Sequence, residues 1–241
     1  MTSKTQNSPT SKALFNHFFP ERVFTFVSES DVDFNLNSTG SPFNSLQDDY
    51  IKSNLGMNAS DIANVKQVHG KEVVIIRDQT SKVVEADALI IDRRGLDLAV
   101  RTADCLPVFL FDEGTPAVGL VHAGWRGTKE QISAETVKLM VKTYNSKPKD
   151  IKVAFGPCIR APRYEVGEEF LQHFPREVMK ENQKYCFDLA LANKNQLIDQ
   201  GVLPDKIYDC GICTFDHQDY HSYRRDGQKA GRILSLIMLR D

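Results

Sequence analysis

Residues 96–128 read LDLAVRTADCLPVFLFDEGTPAVGLVHAGWRGT. Three runs, LDLAVRT, LPVFLFD and AVGLVHA, are rich in Val, Leu, Phe and Thr and are broken only by ADC and EGTP. Such composition suits strands, and the near-continuous apolar character suits strands covered on both faces. Working outward, ADALIID, EVVIIR and ANVKQVH add three more β-rich runs just upstream, and RVFTFVS (residues 22–28) reads as a first strand. Downstream, KVAFG and KIYDC read as strands, and RILSLIML as a late strand or a helix.

Helices are expected around Leu46 to Leu55, Lys129 to Tyr144, Gly167 to Phe174 and Leu189 to Gln200. In the second, Val137, Met140, Val141 and Tyr144 share one face, and Thr128 with Gln131 has capping-box spacing. Gly201 and Pro204 stop the last. Residues 1 to about 12 are polar and aperiodic and read as a disordered tail. Residues 13–241 then make a single α/β domain with a mixed sheet and flanking helices, without repeats or linkers.

Of the 241 residues, 41% are apolar and 26% charged, as in ordinary soluble enzymes. Thirty basic against 32 acidic side chains leave a net charge of -2, which gives no reason to expect nucleic acid or a membrane as partner. No apolar run reaches the roughly 18 residues of a membrane span. The start, MTSKTQNSPTSK, lacks the apolar centre of a signal peptide, so a cytoplasmic location is expected. Five cysteines, an odd count, do not form a disulfide scaffold.

The chemistry concentrates where strands end. VKQVHG places His69 before Gly70, VGLVHAGWRG places His122 before a glycine-rich loop, and Cys105 falls between two strands in RTADCLPV. Two imidazoles and a thiol from distant parts of the chain could hold a metal with a fourth position open, the arrangement of a catalytic zinc. Strand-end histidines also occur simply as hydrogen-bonded packing residues. HAGWRGT leads into the expected helix, whose N-terminus with Arg126 could hold an anion, or Trp125 could pack and Arg126 be solvated. Cys210 and Cys213 form a Cys-x2-Cys pair with no second pair, His217 and His221 have helical i, i+4 spacing without the zincin glutamate, and SYRRDG puts Arg225 beside a turn.

Taken together, KQVHG, ADALI, TADCLPV, HAGWRG, GPCI with RYEVG, and SYRRDG resemble the YfiH or laccase-domain family, long labelled multicopper polyphenol oxidoreductases. The resemblance runs from about Val23 to the C-terminus. It implies a layered α-β-β-α domain with mixed sheets, and metal ligation by His69, Cys105 and His122. It also implies purine nucleoside phosphorylase activity with adenosine deaminase and methylthioadenosine phosphorylase activity, so that the partners are purine nucleosides and phosphate. FNLN, ending at Asn37, matches the family's Leu-Asn pattern, but FVSESDVD carries neither the Arg nor the Gly-Gly usual there, so if that Arg helps hold phosphate or substrate, the anion grip here is weaker or supplied elsewhere.

Zn2+ is the expected ion, with Cu2+ possible in vitro. Phosphate or substrate contacts are expected from Arg126, Arg225, Asn37 and Asp87. Asp87 or Asp104 could orient a ligand histidine. A copper laccase is disfavoured, because the chain has six histidines and no His-x-His. A Cys–His amidase acting on peptidoglycan precursors would use the same three residues, Cys105 as nucleophile. A zinc-stabilised binding module is the non-enzymatic reading. Monomer and homodimer both stay open.

Overall fold

The computed structural model describes residues 14–35, 43–78 and 84–240, so the expected tail and Asn37 lie outside the described residues. In chain order the elements are β1 (Val23–Val27), α1 (Ser45–Leu55), β2 (Ile62–Ala63), β3 (Val65–Lys66), β4 (Val73–Ile75), β5 (Val84–Glu85) and β6 (Ala88–Ile91). The three central strands follow, β7 (Asp97–Thr102), β8 (Leu106–Asp112) and β9 (Ala117–Ala123), then α2 (Trp125–Lys129), α3 (Ile132–Tyr144) and β10 (Ile151–Phe155). The last third contains β11 (Glu165–Val166), β12 (Val178–Glu181), β13 (Lys184–Phe187), α4 (Leu189–Asp199), β14 (Ile207–Asp209), α5 (Tyr223–Asp226) and β15 (Ile233–Leu239).

Two mixed sheets carry the fold. One has the order β1-β15-β7-β2 and the other β14-β10-β8-β9-β6-β4. Every residue of β7, β8 and β9 is buried, as their apolar runs require. Period-two alternation assigns the faces. Leu89, Ile91, Phe109, Phe111, Val118 and Leu120 from the larger sheet meet Leu98, Val100, Ile233 and Ile237 from the smaller. Ala88, Ile90, Val108, Leu110 and Val121 point the other way, to Ile132, Val137 and Met140 of α3 and Leu189 and Leu197 of α4. On the far face of the smaller sheet, Phe26, Ala99, Leu234 and Leu236 pack with Ile51 of α1. The layers are therefore α-β-β-α, as expected.

Several local expectations are corrected. The helix expected from Lys129 is two helices, because Gln131 takes a left-handed backbone (φ 64°) between them. Thr128 lies inside α2 rather than at a cap, and its Oγ1 accepts from Asn193 Nδ2 at 3.0 Å. The expected capping box is found instead at Asn44 and Gln47, where it starts α1. The segment near Gly167–Phe174 is a 3-10 turn, Glu168–Gln172. A three-stranded sheet, β11-β13-β12, was not foreseen. RILSLIML is a strand, pairing with both β1 and β7. His217 and His221 do not share a helix. Among the described residues, no helix is long and apolar enough to cross a membrane.

Candidate functional site

Strand register assembles the site. β8 and β9 pair with Pro107 opposite His122 and Leu106 opposite Ala123, so Cys105, one residue before β8, comes level with Gly124. β6 and β9 pair with Ala88 opposite Val121, so Asp87, one residue before β6, comes level with His122. His122 follows Val118 and Leu120 on the face toward the smaller sheet, and its ring sits at the end of the inter-sheet core. His69 arrives on the loop after β3, in a left-handed conformation (φ 61°). The structure brings His69, Cys105 and His122 together, with donor atoms all within 4.8 Å of one another. The imidazoles meet edge to face, 4.7 Å between centroids.

Asp87 ties the arrangement down. It is fully buried, and its carboxylate accepts the backbone N–H groups of Val68 (3.2 Å), His69 (3.0 Å) and Gly70 (2.7 Å). His122 Nδ1 lies 2.8 Å from Asp87 Oδ1, so Nδ1 carries the proton and Nε2 is left for the cluster. One carboxylate thus sets the backbone of His69 and the tautomer of His122. Burial pushes its pKa up, but the His122 hydrogen bond and charge, with the N–H groups of Gly70 and His69, bring it below the ordinary value. Asp104 does something different. Its side chain accepts from Thr214 Oγ1 at 2.7 Å and Arg224 N at 2.6 Å, and it touches no ligand histidine. It holds the turn before Cys105, itself in a positive-φ conformation (85°), against α5.

Electrostatics favour a thiolate. Burial raises the Cys105 pKa, yet the His122 charge and hydrogen bonds from both imidazoles lower it to about 6. Burial lowers that of His122, and the Cys105 charge and the Asp87 hydrogen bond raise it to about 9. Two glycines let the loop close over the trio. A Cβ on Gly124 would lie 3.0 Å from Cys105 Sγ and 3.2 Å from His69 Cδ2, and one on Gly127 2.7 Å from the Gly70 carbonyl oxygen. Two nitrogens and a thiolate sulfur, three donors, suit a divalent, borderline-soft ion with a fourth position left to another ligand. This cluster could bind a metal.

The trio lies in a cavity of about 590 Å³ that Arg126, on the first turn of α2, also lines. Arg126 is exposed, and its guanidinium stacks over Trp125 at 4.8 Å. Arg225 is not on this cavity. Its Nη1 donates to the Thr214 carbonyl (2.8 Å), its Nη2 to that of Tyr220 (2.9 Å), and it pairs with Asp226 at 2.7 Å. Its neighbour Arg224 lines the cavity instead, as do Gln67, Arg101, Tyr164 and Arg232, none singled out by spacing. Gln67 belongs to KQVHG, Tyr164 to RYEVG and Arg224 to SYRRDG, so those motifs held an advance signal for them. In FVSESDVD, Asp33 accepts the Arg232 backbone N–H at 2.8 Å. Among the described residues the trio is the only cluster of three or more His, Cys, Asp or Glu able to hold a metal, and Cys210–Cys213 is not part of one.

Layered sheets with, at their end, a His–Cys–His cluster that could hold a metal define the class of this α/β protein, and the chain belongs to the family described as multi-copper polyphenol oxidoreductase laccase, whose model matches residues 46–240. A purine nucleoside phosphorylase of Clostridium acetobutylicum is 33% identical over 90% of this chain and 91% of its own. One of Deinococcus radiodurans is 37% identical over 77% of this chain and 73% of its own. The crystal structure of YlmD from Geobacillus stearothermophilus superposes with a TM-score of 0.83 at 25% identity, covering 92% of this chain and 93% of the other.

Proposed function

We propose that this chain is a purine nucleoside phosphorylase whose His69, Cys105 and His122 hold a zinc ion, with deamination of adenosine and phosphorolysis of methylthioadenosine as further activities. The observation carrying the reading is the donor cluster, all atoms within 4.8 Å, on a cavity large enough for a nucleoside. The names of the relatives point the same way. When bound, the ion supplies Lewis acidity toward an oxygen of phosphate or water.

The rest falls to the chain. Phosphorolysis passes through a transition state with oxocarbenium character, so phosphate must be held and the departing purine stabilised. Trp125 and Tyr164 offer flat surfaces for a purine ring, and the arginines offset the charge of phosphate. Asp87 keeps the proton on His122 Nδ1. Purified zinc-loaded protein given inosine or adenosine with phosphate should release free base. Absence of release from either nucleoside would remove the reading.

One observation favours a second reading. In the metal-free chain, a Cys105 thiol brought to about 6 beside His122, itself bonded to Asp87, has the form of a nucleophile, base and orienting carboxylate. A Cys–His amidase would trap an acyl group on Cys105 and work without phosphate. A peptidoglycan precursor incubated without phosphate separates the two.

A further inference from the structure

The cavity is well supplied with donors and short of free acceptors. Arg126, Arg224 and Arg232 line it, and a guanidinium never accepts. The lining side chains with a carboxylate or amide oxygen are Asp104, Gln67 and Asn35. Both Asp104 oxygens are engaged, one by Thr214 Oγ1 and one by the Arg224 N–H. Gln67 Oε1 accepts the Arg101 N–H at 2.7 Å. Asn35 differs from both.

The backbone at Asn35 is held firmly. Phe34, its neighbour, is fully buried and donates its N–H to the Arg232 carbonyl at 3.1 Å. Gln47, buried in the first turn of α1, donates from Nε2 to the carbonyls of Asp33 (2.8 Å) and Asn35 (3.0 Å). The side chain is held as well. Asp33 Oδ1 accepts the Asn35 N–H at 2.9 Å, and Asp33 Oδ2 accepts from Asn35 Nδ2 at 3.0 Å. A carboxylate can only accept, so the amide nitrogen must be the atom that meets Asp33, and Oδ1 is the prong left over. Among the described residues no donor reaches that oxygen. It is not a buried atom either, so it is open to solvent on a residue that lines the cavity.

What this oxygen can take follows from the chemistry of the ligands. Phosphate brings mainly acceptor oxygens, which suit the arginines. The nucleoside brings donors. Inosine donates from N1 and adenosine from its C6 amino group, so a fixed acceptor on the base edge would tell them apart. Methylthioadenosine has sulfur where the other two carry the 5′-hydroxyl. The donors common to all three are the 2′- and 3′-hydroxyls of the ribose. We infer that Asn35 Oδ1 accepts one of these two ribose hydroxyls, and so makes Asn35 a residue that selects ribonucleosides over deoxynucleosides; this rests on the purine nucleoside reading. A ligand lacking that hydroxyl leaves the amide oxygen facing nothing it can accept from.

The test uses zinc-loaded wild type and N35A with inosine, 2′-deoxyinosine and 3′-deoxyinosine. Calorimetry without phosphate gives the affinity for each, and initial rates with phosphate give kcat/KM. Inosine should bind N35A about three- to tenfold more weakly than wild type, and the preference for inosine over one of the two deoxynucleosides should fall by about the same factor. The KM for phosphate should stay within about twofold. An equal loss for all three nucleosides would mean that Asn35 serves its loop, and would overturn the inference. The two readings fail separately. A binding preference lost in N35A, with no base released by wild type, would sink phosphorolysis and leave the ribose contact standing. Turnover of inosine with the preference unchanged in N35A would do the opposite. If N35A does not fold, a crystal structure of wild type with inosine decides. Asn35 Oδ1 within hydrogen-bonding distance of a ribose hydroxyl supports the contact, and any other placement removes it.

Discussion

Asp87, one residue before β6, and Asp97, the first residue of β7, are both buried, yet they end on opposite sides of the ordinary carboxylate range. Asp87 accepts three backbone N–H groups and an imidazole, and its pKa is lowered. Asp97 has an oxygen, Oδ1, without a hydrogen-bond partner, and burial with the nearby charge of Asp61 raises it to about 7. The thiols divide the same way. Cys105 faces two imidazoles and drops to about 6, whereas burial holds Cys158 well above the usual thiol value. Burial alone suppresses charge, and only partners prepaid by the fold, such as oriented N–H groups and imidazoles, make a buried group reactive. The contrast separates the site end of the sheets from everything else.

The largest expected effect tests that separation directly. Cys105→Ala should cut nucleoside turnover by at least ~10³-fold, because the three side chains act as a unit. Cys210→Ser, a half-buried thiol away from the cavity, should stay within about twofold in the same assay. Equal losses would mean that the cysteines serve folding and that the cluster has no special standing.

Alkylation sharpens the same contrast without relying on a substrate. In chelator-treated protein at pH 7, Cys105 should be roughly nine-tenths thiolate and react with iodoacetamide about a hundredfold faster than Cys158. Its folded pKa lies below the ordinary thiol value, so the reactive form is present above about 6 and lost as pH falls through it. Zinc should protect it. First modification at Cys210, or a Cys105 rate that rises only above pH 8, would contradict the arrangement.

Asp87→Asn is expected to weaken zinc binding by about 10–100-fold, measured by competition with a chelator, while Asp97→Asn leaves it unchanged. The amide keeps the volume but loses the charge that fixes the His122 tautomer and gathers the loop at His69. A changed visible spectrum of the cobalt-substituted protein would distinguish a shifted ligand from general destabilisation. Unaltered affinity and spectrum would show that the ligands are held without Asp87.

The strands and the trio were legible because their signals are local. Seven-residue apolar runs declare strands, and a histidine at a strand end before glycine marks a place where backbone gives way to ligand. Asp87 could be named only among substrate contacts and orienting groups together; it does not line the cavity, and its hold on His122 depends on the register of β6 with β9. Arg126 was visible through its helix-start motif, whereas Arg232 stands just before β15 and comes to line the cavity only in the folded chain. Arg225 shows the converse: its motif was conspicuous, but its guanidinium is consumed by carbonyls of the neighbouring turn. Thr128 and Gln131 had the spacing of a cap, yet the tight approach of Gly127 to Gly70 accompanies a separate short helix there.

The smallest effect concerns Asp97 itself and concerns stability. Its folded pKa of about 7 lies above the model-compound value of 3.8, so between those values the folded chain binds more protons than the unfolded chain. Stability is therefore undiminished below about pH 4, declines as pH rises toward 7, and is level beyond. Asp97→Asn removes the ionisable group and should stabilise by about 1–3 kcal/mol at pH 8, with little difference from wild type near pH 4. Urea unfolding of the two chains at several pH values measures the gap. A gap independent of pH would mean that Asp97 is ionised in the folded protein throughout, and that the opposition between the two aspartates lies in geometry without charge.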